Sequence, residues 1–252
     1  MAALNARPCP RGRADHGSQL QIQIYVNRRP HELSERVLDA LPSLASLNPR
    51  LRWVSPLEKD DFAEYGDEAF LAAVGLQKLA GNLVGKFWPR RGPCWDALAV
   101  VEIGGEPVRR GVVLVEAKSY REEMYSKGCQ ALPPSRQRIE AALEKTKRWL
   151  GVPKDVDWTG PLYQSANRLA HLYFFLEAGV PAWLVNVYFL CDPHCPPPYP
   201  PMSRGEWRVA LAEDKTKLGL AGVAVPYTAD LFLEGKDRSE LAGPTDGETG
   251  AG

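Results

Sequence analysis

The amino-acid sequence predicts an α/β fold, a mixed β-sheet flanked by helices. Three observations predict it. Runs of strand periodicity are interleaved with segments of helical periodicity. Two adjacent strand-like runs are joined by a Gly-Gly-Glu-Pro segment. The chain has 252 residues and is 44% hydrophobic, enough to bury a full core.

Residues 1–18, with Pro8, Pro10, Gly12 and Gly17 among arginines, and residues 235–252 offer little to pack and read as disordered tails around a single domain, 19–234. Leu20, Ile22, Ile24 and Val26 alternate with Gln21, Gln23 and Tyr25, the period of a half-buried strand that Arg29-Pro30 ends. Helical spacing follows over 32–44 and 59–79, the second stretch carrying Phe62, Phe70, Val74 and Leu76 among acids. The period returns to that of a strand over Asp96–Val101 and Val112–Val115, so these runs are expected to form a hairpin. Pro133-Pro134-Ser135 opens a helix to Leu150, and a second helix runs from Pro161 to Ala178, stopped by Gly179. Ala182–Cys191 has almost no polar break and reads as a strand buried on both faces. After the proline-rich loop Cys195–Pro201, Ser203 and Glu206 have capping-box spacing for a helix to Glu213.

No run approaches the roughly 18 apolar residues of a membrane span, and the N-terminal segment has no apolar h-region, so a cytoplasmic location is expected. Five irregularly spaced cysteines argue against a disulfide framework and for reduced thiols. Net charge is zero, but it is divided: Lys86 to Arg168 holds 15 Lys plus Arg against 10 Asp plus Glu, and the remainder 16 against 21. The basic middle is compatible with a polyanion partner and equally with an ordinary solvated surface.

A Glu-x-Lys triplet alone carries little information, and this chain has three. Glu213-Asp-Lys215 and Glu234-Gly-Lys236 fall at an expected helix end and in the C-terminal tail, where solvated charge explains them. Glu116-Ala-Lys118 differs because it follows four apolar residues at the end of a strand, with Glu116 and Lys118 on one face. If the turn centres on Glu106, opposed residues have numbers totalling 212, which places Asp96 opposite Glu116 with Cβ atoms roughly 5 Å apart. Two carboxylates that close ask for a cation between them. With no His nearby in sequence, carboxylate oxygen ligands favour Mg²⁺ or Mn²⁺ over zinc. The alternative is that Asp96 and Glu116 lie on opposite faces or at the solvated end of the hairpin, with Lys118 pairing one acid.

An acid on one hairpin strand and Glu-x-Lys on the next resembles the PD-(D/E)XK nuclease superfamily, the restriction-endonuclease-like fold. The resemblance rests on Trp95-Asp96-Ala97 and Val115-Glu116-Ala117-Lys118 and covers roughly residues 55–195. The residue directly before Asp96 is Trp95 rather than Pro, and Pro93 lies three back. The resemblance implies a metal-dependent nuclease hydrolysing phosphodiester bonds, with DNA the expected partner. It implies that Asp96 and Glu116 hold the metal and that Lys118 orients the attacking water or stabilises charge on the phosphate. It also implies a Glu from the preceding helix, for which Glu64 and Glu68 qualify, and a Gln on the following helix, for which Gln164 qualifies.

Gln164, Asn167, Arg168 and His171 form a polar stripe on that later helix, either its wet face or a row above the site. Lys86, Arg90 and Arg91, together with Arg168, are candidate phosphate contacts, and Phe87-Trp88 offers either stacking or core packing. Gly81-Asn-Leu-Val-Gly85-Lys86 is one residue short of a phosphate-binding loop and lacks the following Ser or Thr. Cys191-Asp-Pro-His194-Cys195 has no second ligand pair for zinc. Beside the enzyme stands a second expectation, a catalytically inactive nuclease-fold module that binds nucleic acid or a protein partner.

Overall fold

The computed structural model describes residues 9–104 and 109–242. Its elements are α1 (Gly17–Arg28), α2 (Pro30–Ala40), α3 (Pro42–Ala45), β1 (Arg50–Ser55), α4 (Asp67–Ala73), α5 (Ala80–Leu83), β2 (Ala97–Ile103), β3 (Arg109–Lys118), α6 (Ser135–Leu150), α7 (Tyr163–Glu177), β4 (Ala182–Leu190), α8 (Arg204–Lys217) and β5 (Thr228–Glu234). The five strands form one sheet in the order β1-β2-β3-β4-β5. β1, β2 and β3 pair antiparallel, and β3, β4 and β5 pair parallel, so the sheet is mixed.

Helices cover both faces. Leu98, Val100, Val112, Leu114 and Leu184 pack against α4, α6 and α7. Ala97, Ala99, Val113, Val115, Val185 and Val187 pack against α1 and α2. That two-sided burial accounts for the unbroken apolar runs of β3 and β4. The hairpin register is the expected one, Ala97↔Val115 through Ile103↔Arg109, although the turn thought to centre on Glu106 lies outside the described residues. α8 is capped by the Ser203–Glu206 box foreseen for it.

Several expectations are corrected. The 20–26 alternation belongs to a helix, α1, because its glutamines are buried rather than solvated. Gln21 donates to Asp192 Oδ1 (2.7 Å) and to the Lys236 carbonyl (2.9 Å), and Gln23 donates to the Gly12 carbonyl (3.0 Å). A helix buried on every side shows no amphipathic stripe to read. The 32–44 helix is divided at Pro42, which lacks the N–H that would continue it. The 59–79 stretch is not one helix: Asp61, Phe62 and Asp67 have φ of 55°, 50° and 46°, and each interrupts the right-handed helix. β1 and β5 were not foreseen, because these edge strands are partly exposed and carry charges or polar residues that blur their alternation.

The described parts of both ends are packed, against the expectation of tails. Gly12 N–H donates to Asp61 O (2.8 Å), Glu64 N–H donates to Pro10 O (3.0 Å), and Leu241 is buried near the C-terminal end. Cys9 and Cys94 form a disulfide, which corrects the expectation of wholly reduced thiols. Cys129, Cys191 and Cys195 are free.

The bridge joins residues 85 apart, so removing it frees a long loop in the unfolded chain. Cys9→Ser is expected to lower stability by about 2–4 kcal/mol in urea unfolding. Thiol titration of the denatured, unreduced protein should count three thiols; a count of five would contradict the pairing.

Candidate active site

β3 carries Glu116 and Lys118 on the face that packs against α7, because alternate residues of a strand point to the same side. One step beyond Ala97↔Val115, Asp96 lies opposite Glu116, and the Asp96 carboxylate accepts from Ala117 N–H at 2.7 Å. Glu116 and Lys118 are 6% and 9% exposed, while Asp96 keeps partial exposure. The hairpin therefore brings the three expected groups together.

Glu116 is bound from two sides. Lys118 Nζ donates to its Oε1 at 2.6 Å, and Arg168 Nε donates to its Oε2. Lys118 also reaches Gln164 Oε1 at 3.4 Å. Arg168 donates in addition to the Cys94 carbonyl (2.8 Å) and Asn167 Oδ1 (3.1 Å) and stacks over Trp95 at 4.7 Å. Arg168 is thus buried and engaged within the site, which corrects its expected place among surface phosphate contacts. The polar stripe of α7 is not a wet face: Asn167, Arg168 and His171 are buried. His171 lies edge-on to Trp88 and Trp95, and burial, reinforced by Arg168, pushes its pKa down to about 3, leaving it neutral.

Of the two supporting acids, Glu64 joins the site and Glu68 does not. Glu64 lies outside any helix, in an extended segment where Trp95 N–H donates to Tyr65 O at 3.0 Å. That bridge lays Glu64 against the start of the hairpin, where Gln19 Nε2 donates to it at 3.2 Å. Glu68 is on α4 and pairs with Arg90 at 2.8 Å. The motif around Lys86 is divided by burial. Trp88 is buried, and Phe87 packs on Phe174 and Tyr173, so core packing takes both aromatics. Lys86, Arg90 and Arg91 remain exposed.

The electrostatics show more acid than compensating base. Burial alone would raise the Glu116 pKa, but Arg168 and Lys118 outweigh it and hold the carboxyl below its ordinary value. Asp96 has no such partner, and burial together with Glu116 pushes it up to about 7. Glu64 is pushed up to about 9 by burial, by Asp96 and by Glu116. Burial would lower Lys118, but Glu116, Asp96 and Glu123 keep it raised and charged.

Glu123 was missed in the sequence. It sits on the short 3₁₀ turn Arg121–Met124, accepts Ser119 N–H (2.5 Å) and Ser18 Oγ (3.0 Å), and is raised by burial. No spacing rule points to it, since it reaches the site through a turn. Among the described residues, no group of three or more His, Cys, Asp or Glu is arranged to hold a metal ion. Comparisons with family models, with curated proteins and with solved structures find no match for this chain.

Two outcomes follow from this charge balance. Truncating Arg168 to Ala leaves Glu116 buried with one partner and should cost about 3–5 kcal/mol in urea unfolding. Arg168→Lys should recover only part of that, having no planar fork to reach Glu116, Cys94 and Asn167 together. The folded state holds the Glu64 and Asp96 protons to higher pH than the unfolded chain, whose carboxyls titrate near about 4. Their ionisation therefore erodes stability as pH rises from that range to about 7 for Asp96 and about 9 for Glu64. Glu64→Gln in EDTA should raise the urea midpoint at pH 8 and leave it unchanged at pH 4; equal effects at both would contradict the shift.

Proposed function

We propose that the chain is a divalent-metal-dependent nuclease that hydrolyses phosphodiester bonds of DNA on a restriction-endonuclease-like core. One observation carries this reading: Asp96 and Glu116 meet on adjacent strands with Lys118 on the same face, the first bound by a backbone N–H and the second held by two cations. The mixed sheet with helices on both faces supports it as well.

The donor chemistry fits Mg²⁺ or Mn²⁺, because the side chains that converge are carboxylates, and the nearby imidazole of His171 is committed to the Asn167 carbonyl at 2.8 Å. Asp96 and Glu116 would hold the ion, with Glu64 beside them at the start of the hairpin. When bound, the ion supplies Lewis acidity and lowers the pKa of a coordinated water. Lys118 has a second task. Its ammonium, positioned by Glu116 and Gln164, faces the place where charge grows on phosphate oxygens as water adds and the P–O bond to the leaving group breaks. Lys86, Arg90 and Arg91 supply sequence-independent contacts to the polyanion.

A second reading has its own support. Both carboxylate oxygens of Glu116 are occupied by Lys118 and Arg168, as expected of an internal ion network in a module that binds nucleic acid without cutting it.

Cleavage of plasmid and linear DNA separates the two. With Mg²⁺ or Mn²⁺ the protein should cut, with EDTA it should not, and Lys118→Ala should slow cutting by about 100-fold or more. Cutting that ignores chelation and Lys118→Ala would remove the nuclease mechanism. DNA bound equally by both proteins and cut by neither would establish the binding module.

A further inference from the structure

On the same face of the sheet, one strand beyond Glu116, lies a cavity of about 110 Å³ between α7, α8 and the strands β4 and β5. A water occupies roughly 10–15 Å³ by this measure, so the space takes about eight small groups, the size of a substituted six-membered ring. Leu169, Leu184, Leu211, Leu218 and Leu220 supply apolar walls.

Asn186, Tyr188 and Asp230 add a polar floor. Asn186 donates one amide N–H to Asp230 Oδ1 at 3.1 Å, which leaves its second N–H and its carbonyl oxygen as an adjacent donor and acceptor. Lys215 holds Asp230 Oδ2 at 2.6 Å. Tyr188 is only 5% exposed, lines the cavity, and its hydroxyl makes no hydrogen bond to a described residue. Burial, with Asp230, Glu116 and Asp214 nearby, pushes its pKa well above the ordinary phenol value, so the group stays a neutral donor and acceptor. A hydroxyl that opens onto the cavity with no partner among the described residues offers a hydrogen bond to a polar ligand atom.

Apolar walls with an amide donor and acceptor, a carboxylate and one hydroxyl complement a ring bearing an amino group beside a ring nitrogen. Asp is a hydrogen-bond acceptor suited to the amino group of cytosine, and the volume fits a pyrimidine better than a purine. We propose that this cavity binds cytosine, and that, resting on the nuclease reading above, it receives a base drawn out of the stack beside the phosphate held at Asp96, Glu116 and Lys118. The ladder supports the connection. Glu116 pairs with Asn186 and Lys118 with Tyr188 across strands about 4.8 Å apart. α7 spans both places, with Gln164 and Arg168 on the acid site and Ser165 and Leu169 on the cavity. Extracting a base costs a few kcal/mol of stacking, least in single strands, so single-stranded DNA is the favoured form.

The test uses the full chain in EDTA, where binding is read without cleavage, and then with Mg²⁺. Equilibrium dialysis with cytidine and thymidine monophosphates and with oligo(dC) and oligo(dT) should show cytosine preferred by about tenfold. Asn186→Leu should abolish that preference and Tyr188→Phe weaken cytosine binding several-fold, with circular dichroism melts showing both variants folded. Binding of oligo(dC) together with the monophosphate identifies the ligand as a base of the substrate strand. Binding of the monophosphate alone keeps the cytosine cavity but removes the link to the strand. Equal binding of cytosine and thymine ligands, unchanged in Asn186→Leu, overturns the cavity's role. Cutting with Mg²⁺ but without any cytosine preference removes this inference and keeps the nuclease; cytosine binding without cutting does the reverse.

Discussion

A buried carboxylate must be compensated, and the way Glu116 is compensated organises much of this molecule. Lys118 binds it from the same strand, and Arg168 binds it from α7, fastening the helix layer to the middle of the sheet. Arg168 also holds the Cys94 carbonyl and covers Trp95, so the same guanidinium fixes the backbone that leads into Asp96. Such a network contributes less net stability than its short contacts imply, because desolvating the charges offsets much of their attraction. Its effect is positional. Removing one member leaves the others with less compensation, and each is buried.

The arrangement is unbalanced in a way that structural ion pairs usually are not. Among the described residues, Asp96 has Ala117 N–H and Glu64 has Gln19 as hydrogen-bond partners, and neither is paired with a Lys or Arg side chain, yet both acids feel Glu116. Ionisable groups with perturbed titration, held in a place with polar access, are typical of sites selected for chemistry or binding. The neighbouring cavity has the opposite character, mostly apolar with a few oriented polar atoms, and the β3–β4 ladder sets the two side by side.

The hairpin was legible in the sequence because an antiparallel register is fixed by arithmetic once the centre is placed, and Ala97↔Val115 obeys it. α6, α7 and β4 were legible because each has a clear period and clear stops. Other features were not. α1 hid its identity because Gln21 and Gln23 are buried among backbone groups that only the fold brings near. Glu64 was placed on a helix, whereas left-handed residues at Asp61 and Phe62 and the bridge at Tyr65 deliver it by a loop. Arg168 stood on a stripe that read equally as a wet face or as a row above the site, since nothing in its local pattern shows that Glu116 lies beneath it. The pairing of Cys9 with Cys94, 85 residues away, is equally invisible to spacing.

The central claim is that Asp96 and Glu116 share one divalent ion. Direct titration of Mn²⁺ into the wild-type protein, followed by electron paramagnetic resonance of the free ion, measures it without reference to any substrate. The account predicts one ion bound per chain, and binding lost in both Asp96→Asn and Glu116→Gln. Wild-type protein that binds no Mn²⁺, or binds it as well after either substitution, would contradict it.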